Sequence, residues 1–211
     1  MLTPCTHDEA DTRLLLHVLV ATLLGHRRVV IRTNDTDVVV LAVSVVNIIP
    51  VEELWVTYSS GKQLQNLAAH TIAAPWGRER ASVLPMFHAL TGCDTVSFFA
   101  GRGKKTAWDV WGVFPELTST LLSLTSLPEA ISDACMAVIE RFVVLLNDRT
   151  SNLTEVNEAR QELFSKKSRT LDKIPPTKAA LLRYTKHSVY QGGYVWAQTL
   201  FKQPVPPSPS E

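Results

Sequence analysis

Cysteine is scarce in this chain. Cys5, Cys93 and Cys135 are its three cysteines, too few and too scattered for a disulfide framework or a zinc knuckle. Cys5-Thr6-His7 could offer two metal ligands, but no second Cys/His pair completes a zinc set. Long apolar runs are missing as well. Leu14–Leu24 is interrupted by His17, and Val38–Val51 by Ser44 and Asn47, both short of the ~18 residues that a membrane span needs. They read as buried core segments, and no membrane partner is expected. The opening residues MLTPCTHDEAD carry an acidic cluster instead of a basic region and an apolar core, so no signal peptide is visible. A reducing intracellular compartment is the expectation.

What is present is the material of a folded domain. Of 211 residues, 45% are hydrophobic and 19% charged, enough for a core and unlike a disordered chain. The net charge is +1 but unevenly spread: −3 over residues 1–60, +3 over 61–115, −4 over 116–140 and +5 over 141–211. An acidic front followed by a basic middle and tail is compatible with a metal-binding pocket beside a phosphate-binding surface.

Thr6 and Glu9 have the spacing of a capping box, so a helix is expected over Asp8–Leu24, stopped by Gly25. Val29–Thr33 is short, β-branched and strand-like, and ends in Asn34-Asp35-Thr36-Asp37. The run Val38–Val46 fits strand or helix. Leu54–Tyr58 reads as a strand closed by the turn Ser59-Ser60-Gly61-Lys62, with helices over Gln65–Ala74 and Ala81–Leu90. Beyond Phe114-Pro115, residues 116–202 read as a helical extension broken at Pro128, Asn147–Asn152 and Pro175-Pro176, and residues 203–211 as an unstructured Pro/Ser-rich tail. The order of elements predicts an α/β domain over residues 1–115, with a mostly parallel central sheet flanked by helices.

Three acidic clusters could carry chemistry: Glu9 and Asp11 (with Asp8) at a helix start, Asp35 and Asp37 after a strand, and Asp94 in Leu90-Thr91-Gly92-Cys93-Asp94-Thr95. Ligand sites of open α/β sheets lie at the carboxyl ends of strands, where Asp35 and Asp37 fall. Crowded carboxylates repel one another unless a hard divalent cation joins them. Each cluster alone has a plainer reading. Asp8 and Glu9 suit a helix N-terminus, Asp35-Thr36-Asp37 a strand-ending turn, and Asp94 a turn or cap. Asp35-x-Asp37 also matches an aspartyl-phosphate phosphatase, but there Gly-Thr usually follows, and here Val38-Val39 does.

The order and spacing of HDEADTRLLLHVL, RVVIRTNDTDVVVLA and LPMFHALTGCDTVSFFAGRGKKTAWDVW resemble the structure-specific 5′-nucleases, the flap endonuclease group of the PIN-like superfamily. Glu9-Ala10-Asp11-Thr12 takes the place of that family's Glu-Ala-Glu-Ala element, Asp35 and Asp37 of its Asp-x-Asp, and Thr91-Gly92-Cys93-Asp94-Thr95 of its Leu-Gly-Cys-Asp-Tyr. Gly101-Arg102-Gly103-Lys104-Lys105-Thr106-Ala107 looks like its Gly-x-Gly-x-Lys-x-Ala helix–hairpin–helix element, here within residues 95–112. The likeness covers roughly residues 6–112, about half the chain. It implies a PIN-like α/β fold and a two-metal phosphodiesterase using Mg²⁺ or Mn²⁺. Glu9 and Asp11 would serve the first cation and Asp35, Asp37 and Asp94 the second, the two ~4 Å apart. The implied substrate is branched or flapped DNA, held through its backbone with little sequence preference, which points to the nucleus over the cytoplasm. Two glycines let a backbone approach phosphate closely, and Arg102, Lys104 and Lys105 add positive charge. A Gly-rich turn with a solvated basic flank is the plainer reading of the same residues.

The family's opening strand, which ends in Asp, and a second Asp before its Glu-Ala-Glu element have no counterpart in the eight residues before Glu9. The likeness is therefore to the C-terminal half of the nuclease domain, a PIN-like fold incomplete at its N-terminus, and a fragment or degenerate copy is expected. A catalytically inactive relative that binds nucleic acid or a protein partner is the alternative. Tyr184, Tyr190, Tyr194 and Trp196, with Lys178, Arg183 and Lys186, could stack on bases, although amphipathic packing accounts for them better. Trp108 and Trp111 read as core anchors.

Overall fold

The computed structural model describes residues 9–60, 63–126, 128, 130–165 and 174–200. Thr6, Asp8 and the 203–211 tail lie outside the described residues. The chain forms two compact units, one ending at Pro85 and resuming at Gly192, the other running from Met86 to Gln191. The division therefore falls before the expected boundary at 115.

In the first unit, helix α1 (Ala10–Leu23) leads to strand β1 (Arg28–Thr33), helix α2 (Thr36–Val45) and the strands β2 (Glu53–Ser60) and β3 (Gln63–Ala68). Short helices α3 (Ala69–Ala73) and α4 (Gly77–Ser82) follow, with a 3₁₀ turn between them. Gly25 ends α1 as its position suggests. It has φ +95°, its N–H donates to Thr22 O at 3.0 Å, and the His26 N–H donates to Ala21 O at 3.1 Å. This pair of bonds closes a helix through a left-handed residue.

The ambiguous run after Asp37 is a helix. Asp35 caps it, and Val38, Leu41, Ala42 and Val45 are buried at the i, i+3, i+4, i+7 spacing of one helical face. Packing of that face overrides the strand preference of its valines.

The sheet has three strands in the order β1-β2-β3. β1 runs parallel to β2, with Val30 opposite Trp55, but β3 returns antiparallel, with Thr57 opposite Asn66. This corrects two expectations. The sheet is small and mixed, not mostly parallel, and the stretch expected as a helix from Gln65 is strand as far as Ala68. Gln, Leu and Ala favour helix locally, but pairing with β2 satisfies the backbone, and the Thr57 hydroxyl donates to Asn66 Oδ1 at 2.8 Å across the ladder. The sheet covers its core on one face. Ile31, Leu54 and Val56 are buried while Val30 is 66% exposed. This alternation belongs to a one-sided sheet, not to one buried between two helical layers.

The second unit is helical: α5 (Leu84–Leu90, its last five residues), α6 (Lys104–Val113), α7 (Glu116–Thr125), α8 (Asp133–Asn147), α9 (Val156–Ser165) and α10 (Lys178–Val189). The breaks fall near Pro128, after Asn147 and at Pro175-Pro176, as the sequence suggests. Side chains of Ser132 and Thr177 cap α8 and α10. The core is aromatic. Phe87 stacks on Trp111 at 4.4 Å between ring centroids and meets Phe142 edge-on at 6.4 Å. Trp111 is 1% exposed, and its indole N–H donates to Thr118 Oγ1, so a buried polar atom is satisfied.

Glu140 is buried and joins two helices. Its Oε2 accepts from the Val156 N–H at 3.1 Å, and its Oε1 lies 2.8 Å from Lys178 Nζ. That hydrogen bond, helped by the charge of Glu140, pushes the Lys178 ammonium pKa above its ordinary value.

Tyr184 of α10 packs inward instead of presenting a stacking face. Its ring lies 4.9 Å from that of Phe99, and its hydroxyl sits 2.7 Å from Leu90 O and 2.8 Å from Ser97 O, to which its proton donates. Burial, with the nearby Cys93, pushes the phenol pKa well up. A folded-state pKa raised above the unfolded value of about 10 stabilises the fold below that pH, and the contribution is lost as pH rises through the alkaline range. Stability should therefore fall above about pH 10 by up to ~1.4 kcal/mol per pH unit from this group. Urea titrations between pH 8 and 11 should give a shallower decline in Tyr184→Phe, and equal slopes would refute the assignment.

Candidate metal centre

Three of the five acidic residues implied as metal ligands come together. Carboxylate oxygens of Asp11, Asp35 and Asp37 all lie within 4.8 Å of one another, and none of the three side chains is fully exposed. Local chain geometry explains the convergence. Strand β1 ends at Thr33, whose hydroxyl accepts the Asp35 N–H at 3.0 Å. Asp35 is the N-cap of α2, and its Oδ1 accepts the Asp37 N–H at 2.8 Å. Asp37 and Asp11 occupy the first turns of α2 and α1, and these two helices pack together.

Each carboxylate therefore stands at a helix N-terminus, whose partial positive charge offsets part of their mutual repulsion. An Asp cap stabilises its helix by about 1 kcal/mol, so Asp35 has a structural role whatever else it binds. The cluster could hold a metal ion. Its donors are all carboxylate oxygens, a set that suits a hard divalent cation better than a thiolate- or imidazole-seeking one. Thr33, which fixes the backbone of Asp35, went unnoticed in the sequence. The Thr-x-Asp spacing after a strand was the available signal.

Glu9 and Asp94 are not members of this group. Glu9 is the N-cap residue of α1, and its carbonyl accepts from the Thr12 hydroxyl at 3.1 Å. Asp94 belongs to the second unit, exposed in a tight turn closed by Cys93 N–H to Val96 O at 3.0 Å and Val96 N–H to Cys93 O at 3.2 Å. Its turn reading therefore describes its local setting.

The Gly101–Lys105 segment differs from a short hairpin between two helices. Residues 91–103 connect α5 to α6, Gly101 has φ +68°, and Gly103 caps α6. Two of its three cations point at protein carbonyls. Lys104 Nζ donates to His88 O at 3.0 Å, to Thr91 Oγ1 at 3.2 Å and to Gly92 O, closing the C-terminus of α5. Arg102 donates through Nη2 to Asn147 O at 3.2 Å and through Nε to Asn147 Oδ1 at 3.4 Å, at the end of α8. Both cations neutralise helix C-termini, a role that opposite dipole ends favour. Lys105 is 90% exposed and pairs with Asp109 at 3.3 Å. Hydrogen bonds from Arg149 and then Lys105 hold the Asp109 carboxyl below the usual range.

Lys104→Met should keep the aliphatic stem but leave these acceptors without their ammonium, at a cost of about 2 kcal/mol. Chemical denaturation measures this directly. A change within ~0.5 kcal/mol would show that Lys104 does not cap α5.

Among the described residues no helix is long and apolar enough to cross a membrane. No family model, curated protein or solved structure matches this chain.

Proposed function

We propose that this chain carries a divalent-metal nuclease-like domain acting on the phosphodiester backbone of branched or flapped DNA, with Mg²⁺ or Mn²⁺ held by Asp11, Asp35 and Asp37. One observation carries the reading: acids from a helix start and from the Asp-x-Asp after the next strand converge to within 4.8 Å. The resemblance to the 5′-nucleases implies acids at these two positions. A bound cation would polarise a phosphoryl oxygen and lower the pKa of a bound water. Asp35 and Asp37 would orient it through the capped start of α2, and Asp11 would close the set from α1. Glu9 and Asp94 enter by resemblance alone. On the DNA side, Lys105 and the Gly101–Gly103 backbone are better suited to phosphate than Arg102 and Lys104, whose donors serve carbonyls.

A second reading is a catalytically inactive relative that binds nucleic acid or a protein partner. What favours it is that the acidic group holds three of the five implied ligands.

The test is cleavage of a flapped DNA duplex with Mg²⁺ or Mn²⁺, comparing the native chain with Asp37→Ala. Metal-dependent cleavage that falls by at least ~100-fold in the variant is the expected result. Equal cleavage by the two would sink the metal-centre assignment. Salt-sensitive DNA binding in EDTA, without cleavage in metal, would move the protein to the second reading.

A further inference from the structure

We infer that the outer edge of β1 is a docking site for an acidic, extended segment of a partner protein, which adds to the sheet as a further strand. This inference does not rest on the nuclease reading. Among the described residues β1 has a strand partner on one side only, since the sheet runs in the order β1-β2-β3. An edge strand turns half of its N–H and C=O groups away from its neighbour, and that row is a template for another extended chain. The edge is regular as well as open. All six residues Arg28–Thr33 are in register with β2, and the strand holds no proline that would break a second ladder.

The side chains select the occupant. Arg28, Val30 and Arg32 are exposed and alternate with Val29, Ile31 and Thr33, so they share the open face of the sheet. Val30 is 66% exposed and heads the cross-strand row Val30–Trp55–Ala68. A strand added beside β1 would lengthen that row by one apolar residue. Arg28 lies 3.0 Å from Glu53, its register partner on β2, in an exposed pair of a kind that contributes little. Arg32 stands opposite Thr57 and pairs with no carboxylate among the described residues. Side chains directly opposed on neighbouring strands meet. Two cations flanking an apolar residue at alternate positions therefore match a segment that carries acid, apolar and acid at the same spacing.

A second copy of this chain fits the edge badly. Antiparallel pairing of two β1 strands about Val30 sets Arg28 of each opposite Arg32 of the other, and like charges directly opposed are destabilising. The same two residues thus turn away a self-pair and favour an acidic partner.

Titration of the full chain with the blocked heptapeptide Thr-Glu-Thr-Val-Thr-Glu-Thr, read by amide-resolved NMR, tests this. The peptide should bind saturably with a dissociation constant below about 1 mM, and a counterpart with Lys in both Glu positions at least ~10-fold more weakly. Arg32→Glu, a change at an exposed position, should reverse that preference. Binding should slow hydrogen exchange at one or more amides of Val29–Thr33 by at least ~10-fold. Absence of saturable binding by the acidic peptide would overturn the inference, as would equal affinity of the two peptides or an unchanged preference in Arg32→Glu. So would a free chain in which every amide of Val29–Thr33 already exchanges slowly. The edge would then be covered by another part of this chain, or by a second copy if sedimentation gives a dimer.

Discussion

Replacing Gly92 with alanine should destabilise the second unit by about 3 kcal/mol, the largest effect expected of any single methyl group here. Two costs add. Gly92 has φ +98°, a conformation that costs an L side chain roughly 1–2 kcal/mol. A Cβ there would also lie 2.5 Å from Phe98 Cβ and 2.8 Å from Phe98 Cα. The second contact is with backbone, so no rotamer change relieves it, and overpacking of this kind costs about 1–3 kcal/mol. The segment that would have to move carries Phe98 and Phe99. Urea denaturation of Gly92→Ala beside Gly25→Ala separates the two costs. Gly25 has a similar φ of +95° but no atom within 4 Å of an added Cβ. A difference below ~0.5 kcal/mol between the two variants would mean that the close approach at Phe98 relaxes freely.

Asp37→Asn should abolish stabilisation by divalent cations. If Asp11, Asp35 and Asp37 hold Mg²⁺ or Mn²⁺, the native chain gains about 2.7 kcal/mol when the ion stands at a hundred times its dissociation constant. The isosteric amide should gain almost none of it. Without metal the substitution is close to neutral, because two effects oppose. Removing one of three mutually repelling charges is favourable by ~1 kcal/mol at these separations in a water-like medium. Losing an anion from the first turn of α2 costs about 0.3–1 kcal/mol. Thermal unfolding in EDTA and over a Mn²⁺ series gives both numbers. An equal metal-induced rise in melting temperature for the two proteins would place the cation elsewhere. Lys104→Met serves as the control, since it should lower stability at every metal concentration by the same amount.

The acidic residues show how far residue order alone reaches. Asp35 and Asp37 follow a strand, and Asp11 opens a helix; those placements rest on local signals of β-branching, capping and spacing, and the structure retains them. The cluster itself needs α1 to pack against α2, a contact between residues far apart in sequence. For Asp94 residue order reaches only the local setting. Local signals give its exposed turn, closed between Cys93 and Val96, and go no further.

The basic stretch Gly101–Lys105 shows what residue order leaves open. Arg102, Lys104 and Lys105 look equivalent in sequence, yet Arg102 and Lys104 reach helix C-termini while Lys105 pairs with Asp109 on its own helix. Nothing near Arg102 in the chain announces Asn147, 45 residues away. A cation's partner is set by which helix end lands beside it.

From its order of residues alone, this chain determined the positions of most helices, the strands around Ile31 and Leu54, the helix stop at Gly25 and the core role of Trp111. These follow from capping, backbone freedom and side-chain shape, which act over a few residues. Tertiary structure decided that Val38–Val45 is a helix, that Gln63–Ala68 pairs as an antiparallel strand, that three carboxylates meet, and that Arg102 and Lys104 reach helix C-termini. Those outcomes depend on burial and pairing between distant segments, whose free energies exceed the fraction of a kcal/mol by which local propensities differ.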